Sequence, residues 1–404
     1  MAIKRYNSEK DNTIINALRE NLSARGTGAN LGASDILEIF SIYGQANTSS
    51  LEQTRILLQF PVSEISSDRD NNIVPASGSV NFKIKMSNVP HGQTTPKNYT
   101  MIVHPIAKAW DEGDGLDMEG YLDLEASNWV SSSANTLWHT TGSDYLSASY
   151  MYAQVMPTEY TQSFDTGVED LEIDITGLAE EWIKHYKGTK TAATGSINFL
   201  QNPSGSGQTI SIHSHEGEKY TYTFITSSTY SINNHVYLEL SGSNTATAAA
   251  LKNRIDSDFA GKITTNIASA LLALAHSVAG LHGNTMFSSS IAIATASVSN
   301  FSGGVGMPNY GAIVKLRDDY ENGSGKKSYY TKKFYSRSSH EFFLKPQIEA
   351  QWDSAVTDDR NYIIKSSSLA PNAENLNSIY LYNRRGGSLV DIPSTGSALV
   401  VQLH

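Results

Sequence analysis

The sequence predicts a mainly β protein, a jelly-roll-like β-sandwich that carries an inserted small α+β domain. Residues 1–188 alternate short apolar-polar segments with turns rich in Gly, Asn, Ser and Pro, which is typical of many short strands. This pattern stops near residue 189 and resumes near residue 309. The composition agrees, because 21 Tyr and only 17% charged residues suit strands whose surface is built from hydroxyls and amides.

Several segments of the first part combine strand-forming residues with alternating polarity. They predict strands over 36–43, 54–60, 79–86, 99–106 and 171–175. A helix is predicted directly afterwards, over 176–186. Leu178, Trp182 and Ile183 recur there at helical spacing, so we expect them to pack on a sheet.

Residues 329–353 predict two further strands joined by a charged corner, and the alternation of the second would close a sheet. We expect the partner of this stretch to lie far upstream, in the strand within 54–62. That segment has one polar and one apolar face, as a half-buried strand requires.

The interruption predicts a domain inserted into a loop of the sandwich, with boundaries at 1–188 plus 306–353 for the sandwich and 189–305 for the insertion. Such insertions are tolerated where the two ends of the loop lie close together. Within the insertion the sequence predicts four strands, a helix and a second apolar helix or helix-like run. The strands are 209–214, 219–225, 286–288 and 291–297, the helix is 246–256, and the apolar run is 267–278.

Residues 354–404 are interpreted as a linker and the start of a further β module. Strands are predicted over 379–383 and 398–403, and Arg384 and Arg385 with the following glycine pair indicate a strand turn. The last predicted strand has no polar tail behind it, so we expect the chain to continue beyond His404.

Composition excludes several classes of function. A net charge of −10 argues against a general nucleic-acid binder, which needs clustered Lys and Arg. No window has the roughly 18 apolar residues that a spanning helix needs, so no membrane insertion is expected. With no Cys and no apolar signal core at the start, the chain suits a protein made in a host cytoplasm, including one that is then built into a virion.

Six short blocks occur in a fixed order: an Asp-to-Thr start, Arg-x-Leu-Leu-x-Phe, Trp-x-Glu-Gly, a strand leading into Trp182, Asn-Tyr-Gly, and a Ser-Arg corner. They lie at 11–13, 55–60, 110–113, 175–182, 309–311 and 336–348. In this order the blocks resemble the β-sandwich family named for its DNRLRE signature, which is related to carbohydrate-binding-module-like jelly rolls. The resemblance covers about 1–188 and 309–353.

The insertion is similar to a small domain that recurs in structural proteins of tailed bacteriophages. The matching segments are 209–212, 222–224, 248–255, 283–285 and 301–304. The opening Arg-Gly-Thr-Gly-x-Asn-x-Gly over 25–32 resembles large structural proteins of marine tailed phages. These resemblances imply a non-enzymatic component of the virion, in the tail, baseplate or neck. Its expected partners are identical subunits in a symmetric assembly and other virion proteins.

One acidic loop is a candidate calcium site. Its five carboxylates belong to Asp111, Glu112, Asp114, Asp117 and Glu119. Calcium takes six to eight oxygen ligands, although this spacing is not that of an EF-hand loop. The alternative is a solvated loop in which Glu112 supports the fold. No other cofactor is expected.

Trp129 and Trp138 are candidate ligand-contact residues in a Ser/Asn-rich stretch that also holds Tyr145, Tyr150 and Tyr152. Exposed aromatic rings stack on sugars or fill a partner's pocket. This suggests an alternative function, a glycan-binding adhesion module that recognises host surface glycans. The competing interpretation is that both Trp side chains wedge the long loop onto the sandwich.

No catalytic residues are predicted. Glu172 and Asp174 share a strand face, but alternating charges are common on the outside of a sheet. His213 and His215 have no evident third ligand for zinc. The glycines over 26–32 lack the βαβ context of a dinucleotide site and indicate a loop, and no nucleophile elbow occurs. A polysaccharide-degrading spike is the third interpretation, although the β-helix repeat that would favour it is not seen.

Overall fold

The computed structural model describes residues 2–45, 49–92, 94–116, 122–152, 156–203, 207–225, 236–239, 242–354, 367–371, 375–377, 379–385 and 388–389. The chain divides into two compact units. One is Ile3–Trp352, and the other is Met1–Ala2 with Asp353–His404. The first unit is mainly β, as predicted, and most of its strands pair antiparallel, which is consistent with a β-sandwich.

The first part of the chain builds most of the sandwich. Its strands are β1 Ala2–Asn7, β2 Lys10–Asn16, β3 Ile36–Gly44, β4 Ser49–Gln59, β5 Val80–Met86, β6 Tyr99–Pro105, β7 Ser131–Ser133, β8 Thr136–Leu137, β9 Tyr160–Phe164 and β10 Leu171–Asp174. Its helices are α1 Val62–Asp70 and α2 Thr176–Tyr186.

The middle of the chain contributes β11 Thr194–Phe199, β12 Gln208–His213, β13 Lys219–Ile225, β14 Val236–Glu239, α3 Asn244–Asp258, β15 Ile263–Ala268, β16 Leu271–His276, β17 Ser288–Ser289 and β18 Ala296–Ser302. The sandwich then continues with β19 Ala312–Leu316, α4 Asp318–Glu321, β20 Tyr329–Tyr335 and β21 Gln347–Trp352.

Two sheets form the sandwich. The larger has seven strands in the order β20-β3-β4-β19-β6-β9, with β2 paired to β4, and the smaller has the order β1-β21-β5-β10. Alternation sets the faces: β5 buries Phe82, Ile84 and Met86 in the core and turns Lys83 and Lys85 outward. The stripe on α2 packs as predicted, since Trp182 is fully buried in the same core.

Residues 193–301 build a core of their own from two four-stranded sheets and α3. One sheet has the order β15-β16-β11-β18, and the other β14-β13-β12-β17. The chain runs into and out of this region through Thr191 and Val305, which exchange both backbone hydrogen bonds at 3.2 Å. We call this pair the stem. It brings together the two ends that an insertion needs close.

Two expectations within the insertion are wrong. Residues 267–278 form no helix, because β15 and β16 make a hairpin that turns at Ser269, and β16 also pairs with β11. Leu272, Leu274 and His276 alternate inward, so tertiary pairing overrides helix propensity. The predicted strand 291–297 begins only at Ala296, because the preceding residues form a turn.

The pairing expected for 329–353 is also wrong. Strand β20 pairs with β3 and β21 pairs with β5, whereas β4 lies between other strands. The two segments therefore end in different sheets, and the corner between them passes from one sheet to the other. Local alternation predicts a strand but carries no information about its neighbour.

In the second unit, β22 Arg384–Arg385 pairs with β23 Ser388–Leu389, which agrees with the predicted strand turn. No strand is assigned over 379–383, so that expectation is wrong, and 398–403 lies outside the described residues. Among the residues that the structure describes, no helix has the length and hydropathy to cross a membrane.

Replacing Trp182 with Ala should lower the free energy of unfolding by about 3–5 kcal/mol, because a fully buried indole leaves a cavity. Urea denaturation measures the change. Tyr186→Ala on the same helix is the matched control, since that ring is 60% exposed, and it should change stability little. Equal losses in the two variants would contradict the packing described for α2.

Candidate functional site

Three of the sequence blocks meet at the corner between β20 and β21. The backbone N–H of Asp11 donates to Glu112 Oε1 at 2.8 Å. The guanidinium of Arg337 donates to both oxygens of Glu112, at 3.1 and 2.5 Å, and its backbone N–H donates to Asp11 Oδ2 at 2.5 Å. These contacts form a closed ring of hydrogen bonds, which we call the corner ring, across more than 300 residues of sequence.

The corner ring contains an unusual carboxyl group. Asp11 is fully buried and its Oδ1 has no hydrogen-bond partner. Burial raises the pKa of Asp11 from 3.8 to about 7, with the negative charge of Glu112 acting in the same direction and the hydrogen bond from Arg337 opposing it. Because the folded pKa is raised, the contribution of Asp11 to stability is full below about pH 4 and is lost as the pH rises through about 7.

Glycine contacts hold the acidic loop at Gly113 against the glycine-rich loop over 26–32. A Cβ on Gly32 would lie 1.9 Å from the carbonyl oxygen of Gly113, so both positions need glycine for this close approach. Asn30 fills the space beside them and accepts the N–H of Gly115 at 3.0 Å. The glycine-rich stretch 26–32 is therefore a loop, as predicted, and its contacts are with the protein's own backbone.

The corner between β20 and β21 also carries an exposed aromatic pair. Phe342 and Phe343 lie on a short 3-10 helix, 60% and 82% exposed, with their ring centroids 5.5 Å apart. Lys345 lies over the Phe342 ring at 5.7 Å. We call Phe342 and Phe343 the Phe pair. Beside Phe343 is a polar groove of about 210 Å³ whose lining includes Arg5, Lys85, Glu172, Phe343 and Gln347.

The structure describes three of the five predicted calcium ligands. Asp111 and Asp114 are exposed, and Glu112 is engaged in the corner ring. Asp117 and Glu119 lie outside the described residues. No group of three or more acidic or His side chains in the described part of the chain is arranged to hold a metal ion. The calcium site thus stays a prediction, whereas the structural role of Glu112 is visible.

Trp129 and Trp138 lie in the core and form no exposed stacking platform. They are only 5% and 4% exposed, and Trp138 Nε1 donates to the carbonyl of Asn128 at 2.8 Å. The guanidinium of Arg55 lies 5.0 Å from the Trp129 ring centroid. Both rings attach the long loop between β6 and β9 to the sandwich, so a sugar has no access to their faces. Of the neighbouring tyrosines, Tyr152 is exposed at 41%.

A buried charge network was not expected from the sequence. Arg55 donates to both oxygens of Glu321 at 3.1 and 2.7 Å, and Lys315 Nζ lies 3.1 Å from Glu321. Lys315 also contacts Asp318. Burial acts to lower the pKa of Lys315, but the charge of Glu321 outweighs it and raises that pKa. The network links β4, β19 and α4 and leaves its charges balanced.

The residues weighed as catalytic are engaged elsewhere. Glu172 forms ion pairs with Lys83 at 2.7 Å and Lys85 at 3.3 Å on the outer sheet face, and Asp174 accepts the N–H of Thr176 at 2.9 Å. His213 approaches the carbonyl of Met286 at 3.1 Å. None of these contacts brings two carboxylates together.

His215 instead belongs to a cluster of three buried imidazoles that the sequence did not reveal. Its ring centroid lies 5.5 Å from that of His276 and 5.2 Å from that of His282. His282 is fully buried, and neither ring nitrogen has a hydrogen-bond partner. Burial lowers the pKa of His276 to about 3 and that of His282 well below its usual value, with the neighbouring imidazoles adding to the effect. All three are held neutral at pH 7.

Acid should therefore destabilise the protein through His276. Its pKa is 6.5 when unfolded and about 3 when folded, so the unfolded chain binds the extra proton and stability falls as the pH drops below about 6.5. The loss from this residue between pH 7 and 5 is about 2 kcal/mol. Urea denaturation at each pH should show a smaller loss in His276→Gln, with the exposed His340→Gln as control. If the free energy of unfolding of His276→Gln fell with decreasing pH as steeply as that of the parent, the assignment to His276 would be wrong.

Removing the Glu112 carboxylate from the corner ring should also lower the free energy of unfolding. Glu112→Ala leaves the Asp11 N–H and the Arg337 guanidinium without their acceptor, and we expect a loss of about 1–3 kcal/mol by urea denaturation. The adjacent Asp111→Ala is the control, because that side chain is exposed, and it should stay within about 0.5 kcal/mol of the parent. Equal effects in both variants would mean that the ring is unimportant for stability.

No protein-family model matches the chain, and no curated protein or solved structure matches it either. Its function is therefore inferred from the residues and their geometry.

Proposed function

We propose that the chain is a non-enzymatic structural component of a tailed-phage virion, associated with the tail, baseplate or neck, that acts through protein–protein assembly. The observation that carries this proposal is the Phe pair, two large apolar side chains exposed side by side on a corner that the corner ring holds in place. Exposed aromatic side chains grouped in this way are typical of interaction sites.

The energetics favour a protein partner. Burying one Phe side chain against an apolar surface contributes about 1.5–3 kcal/mol. Because the corner is already ordered by the bonds of Asp11, Glu112 and Arg337, little conformational entropy is lost when it docks. In a closed ring of identical subunits each copy makes the same contact. The modest binding free energy of one Phe pair is therefore gained at every interface of the ring.

The buried ionisable groups are consistent with a scaffold. The charged groups of Glu112, Glu321 and Arg55 are paired with partners within the chain. These pairs fix loops to strands. The net charge of −10 argues against nucleic acid as the partner. The sequence resemblances to tailed-phage structural proteins supply the particle context.

Changing both members of the Phe pair to Ser should weaken self-association without unfolding the protein. Sedimentation velocity of the purified chain should show closed oligomers for the parent and smaller species for Phe342→Ser/Phe343→Ser, with thermal unfolding unchanged. The control is Ile293→Ser, an equally exposed apolar residue elsewhere at 80% exposure, which should assemble like the parent.

Particle labelling tests the location separately. The chain has no Cys, so Ser324→Cys in an exposed turn gives a unique labelling site. A symmetric ring of label on intact virions is expected. A monomeric parent together with unlabelled particles would overturn the proposal.

A glycan-binding adhesion module is the second candidate, favoured by the groove beside Phe343. One exposed ring next to Arg5, Lys85 and Glu172 is a combination that can stack a sugar and bind its hydroxyls. On a glycan array this function requires binding by the parent that Phe343→Ala abolishes. Assembly without glycan binding would leave only the structural function.

A further inference from the structure

One lysine of the sandwich is buried without a carboxylate partner. Lys332 on β20 is 2% exposed, and its Nζ lies 2.8 Å from Asn88 Oδ1, 3.3 Å from the carbonyl oxygen of Gly167 and 2.5 Å from that of Glu169. The Phe164 and Phe334 rings flank the amine, with centroids at 4.9 and 4.7 Å. Within the described residues no carboxylate oxygen lies at ion-pair distance from it. An amine and a carboxamide are thus held together in an aromatic enclosure.

We propose that Lys332 and Asn88 join through an intramolecular isopeptide bond. The Nζ of Lys332 attacks Cγ of Asn88, a C–N bond forms, the bond from Cγ to Nδ2 breaks, and ammonia leaves. An amine and a primary amide become a secondary amide and ammonia. Atoms balance, no electron is transferred, and no co-reactant is needed. This inference is independent of the function proposed above.

The geometry suits this reaction because both partners are fixed. Asn88 Cγ lies one carbonyl bond, about 1.2 Å, from the Oδ1 that contacts the amine. The segment around Asn88 is held against β20, since Val89 N–H donates to the Lys333 carbonyl at 3.0 Å and Tyr335 N–H to that of Ser87 at 3.1 Å. Holding a nucleophile beside its target in this way replaces a bimolecular encounter with a unimolecular step.

The nucleophile must be an uncharged amine. Burial lowers the pKa of Lys332 to about 8, against the opposing charges of Glu169 and Asp170. Roughly one amine in ten is then uncharged at pH 7, compared with roughly one in three thousand for an ordinary lysine. Because ammonia leaves and the bond is stable, a minor reactive fraction suffices for the reaction to go to completion.

Glu169 contacts the amine through its backbone carbonyl, and its carboxylate is bound to the preceding turn. Its Oε1 accepts the backbone N–H groups of Asp165 at 3.0 Å and Thr166 at 2.7 Å, while its Oε2 is buried with no hydrogen-bond partner. Burial acts to raise the pKa of Glu169, but hydrogen bonds from the Thr166 region outweigh it and lower that pKa to about 2, so the group is an anion. The proton released by the attacking nitrogen moves to the departing nitrogen, which leaves as ammonia.

The bond would tie the two sheets of the sandwich covalently. Lys332 belongs to an end strand of the seven-stranded sheet, and Asn88 follows β5 of the four-stranded sheet. The tie spans 244 residues of sequence. The competing state is an ordinary ammonium ion held by three carbonyl oxygens, and it leaves the covalent mass unchanged.

Intact mass spectrometry of the purified, denatured full chain decides between these states. We expect the parent to be lighter than its sequence by the mass of one ammonia molecule. A tryptic digest should contain a branched peptide that joins 86–97 to 328–333. An unmodified parent mass, after incubation of the folded protein at pH 8, overturns the proposal.

Variants locate the reaction. Lys332→Arg and Asn88→Ala should each restore the unmodified mass. Loss of ammonia that persists in Lys332→Arg would arise at another amide and would also overturn the proposal. The parent mass itself is the primary readout, so the test does not depend on any variant folding.

Discussion

The corner ring is the constraint on which the sandwich depends. The passage from β20 to β21 is the point where the chain leaves one sheet for the other. Glu112 fastens this passage, because its carboxylate accepts hydrogen bonds from the backbone N–H of Asp11 and from the guanidinium of Arg337. The sheets therefore keep their relative position at the cost of burying Asp11 with a raised pKa. That compromise is stable because the ring also satisfies two backbone N–H groups that would otherwise be orphaned.

What the sequence predicted well are features set by near neighbours. The fold class, the α2 stripe centred on Trp182 and the alternating strand β5 all follow from local periodicity. The helix prediction for 267–278 is wrong for the same reason, since its Ala and Leu residues are as compatible with a helix as with a buried hairpin. Pairing with β11 decides between them, and that pairing is invisible in the run itself.

The candidate site divides in the same way. The ordered blocks pointed to Glu112 and to the corner, but not to the bond between them, because Arg337 is 225 residues away. Trp129 and Trp138 are wrong as candidate ligand contacts, because the sequence shows the aromatic content of the loop but not the burial that favours the wedge. His276 and His282 carry no local signal, since a lone His on an apolar strand or turn has no pattern until its neighbours are known.

The stem gives the insertion a mechanical character. Thr191 and Val305 alone would form a two-stranded hinge about which residues 193–301 could turn. A second fastening prevents this, because Met151 bridges Thr285 from the opposite side, and Tyr152 N–H donates to the carbonyl of Asn284 at 2.7 Å. The insertion is therefore attached to the sandwich at two separate places, and a force that would rotate it about the stem must also break the bonds of Met151 and Tyr152.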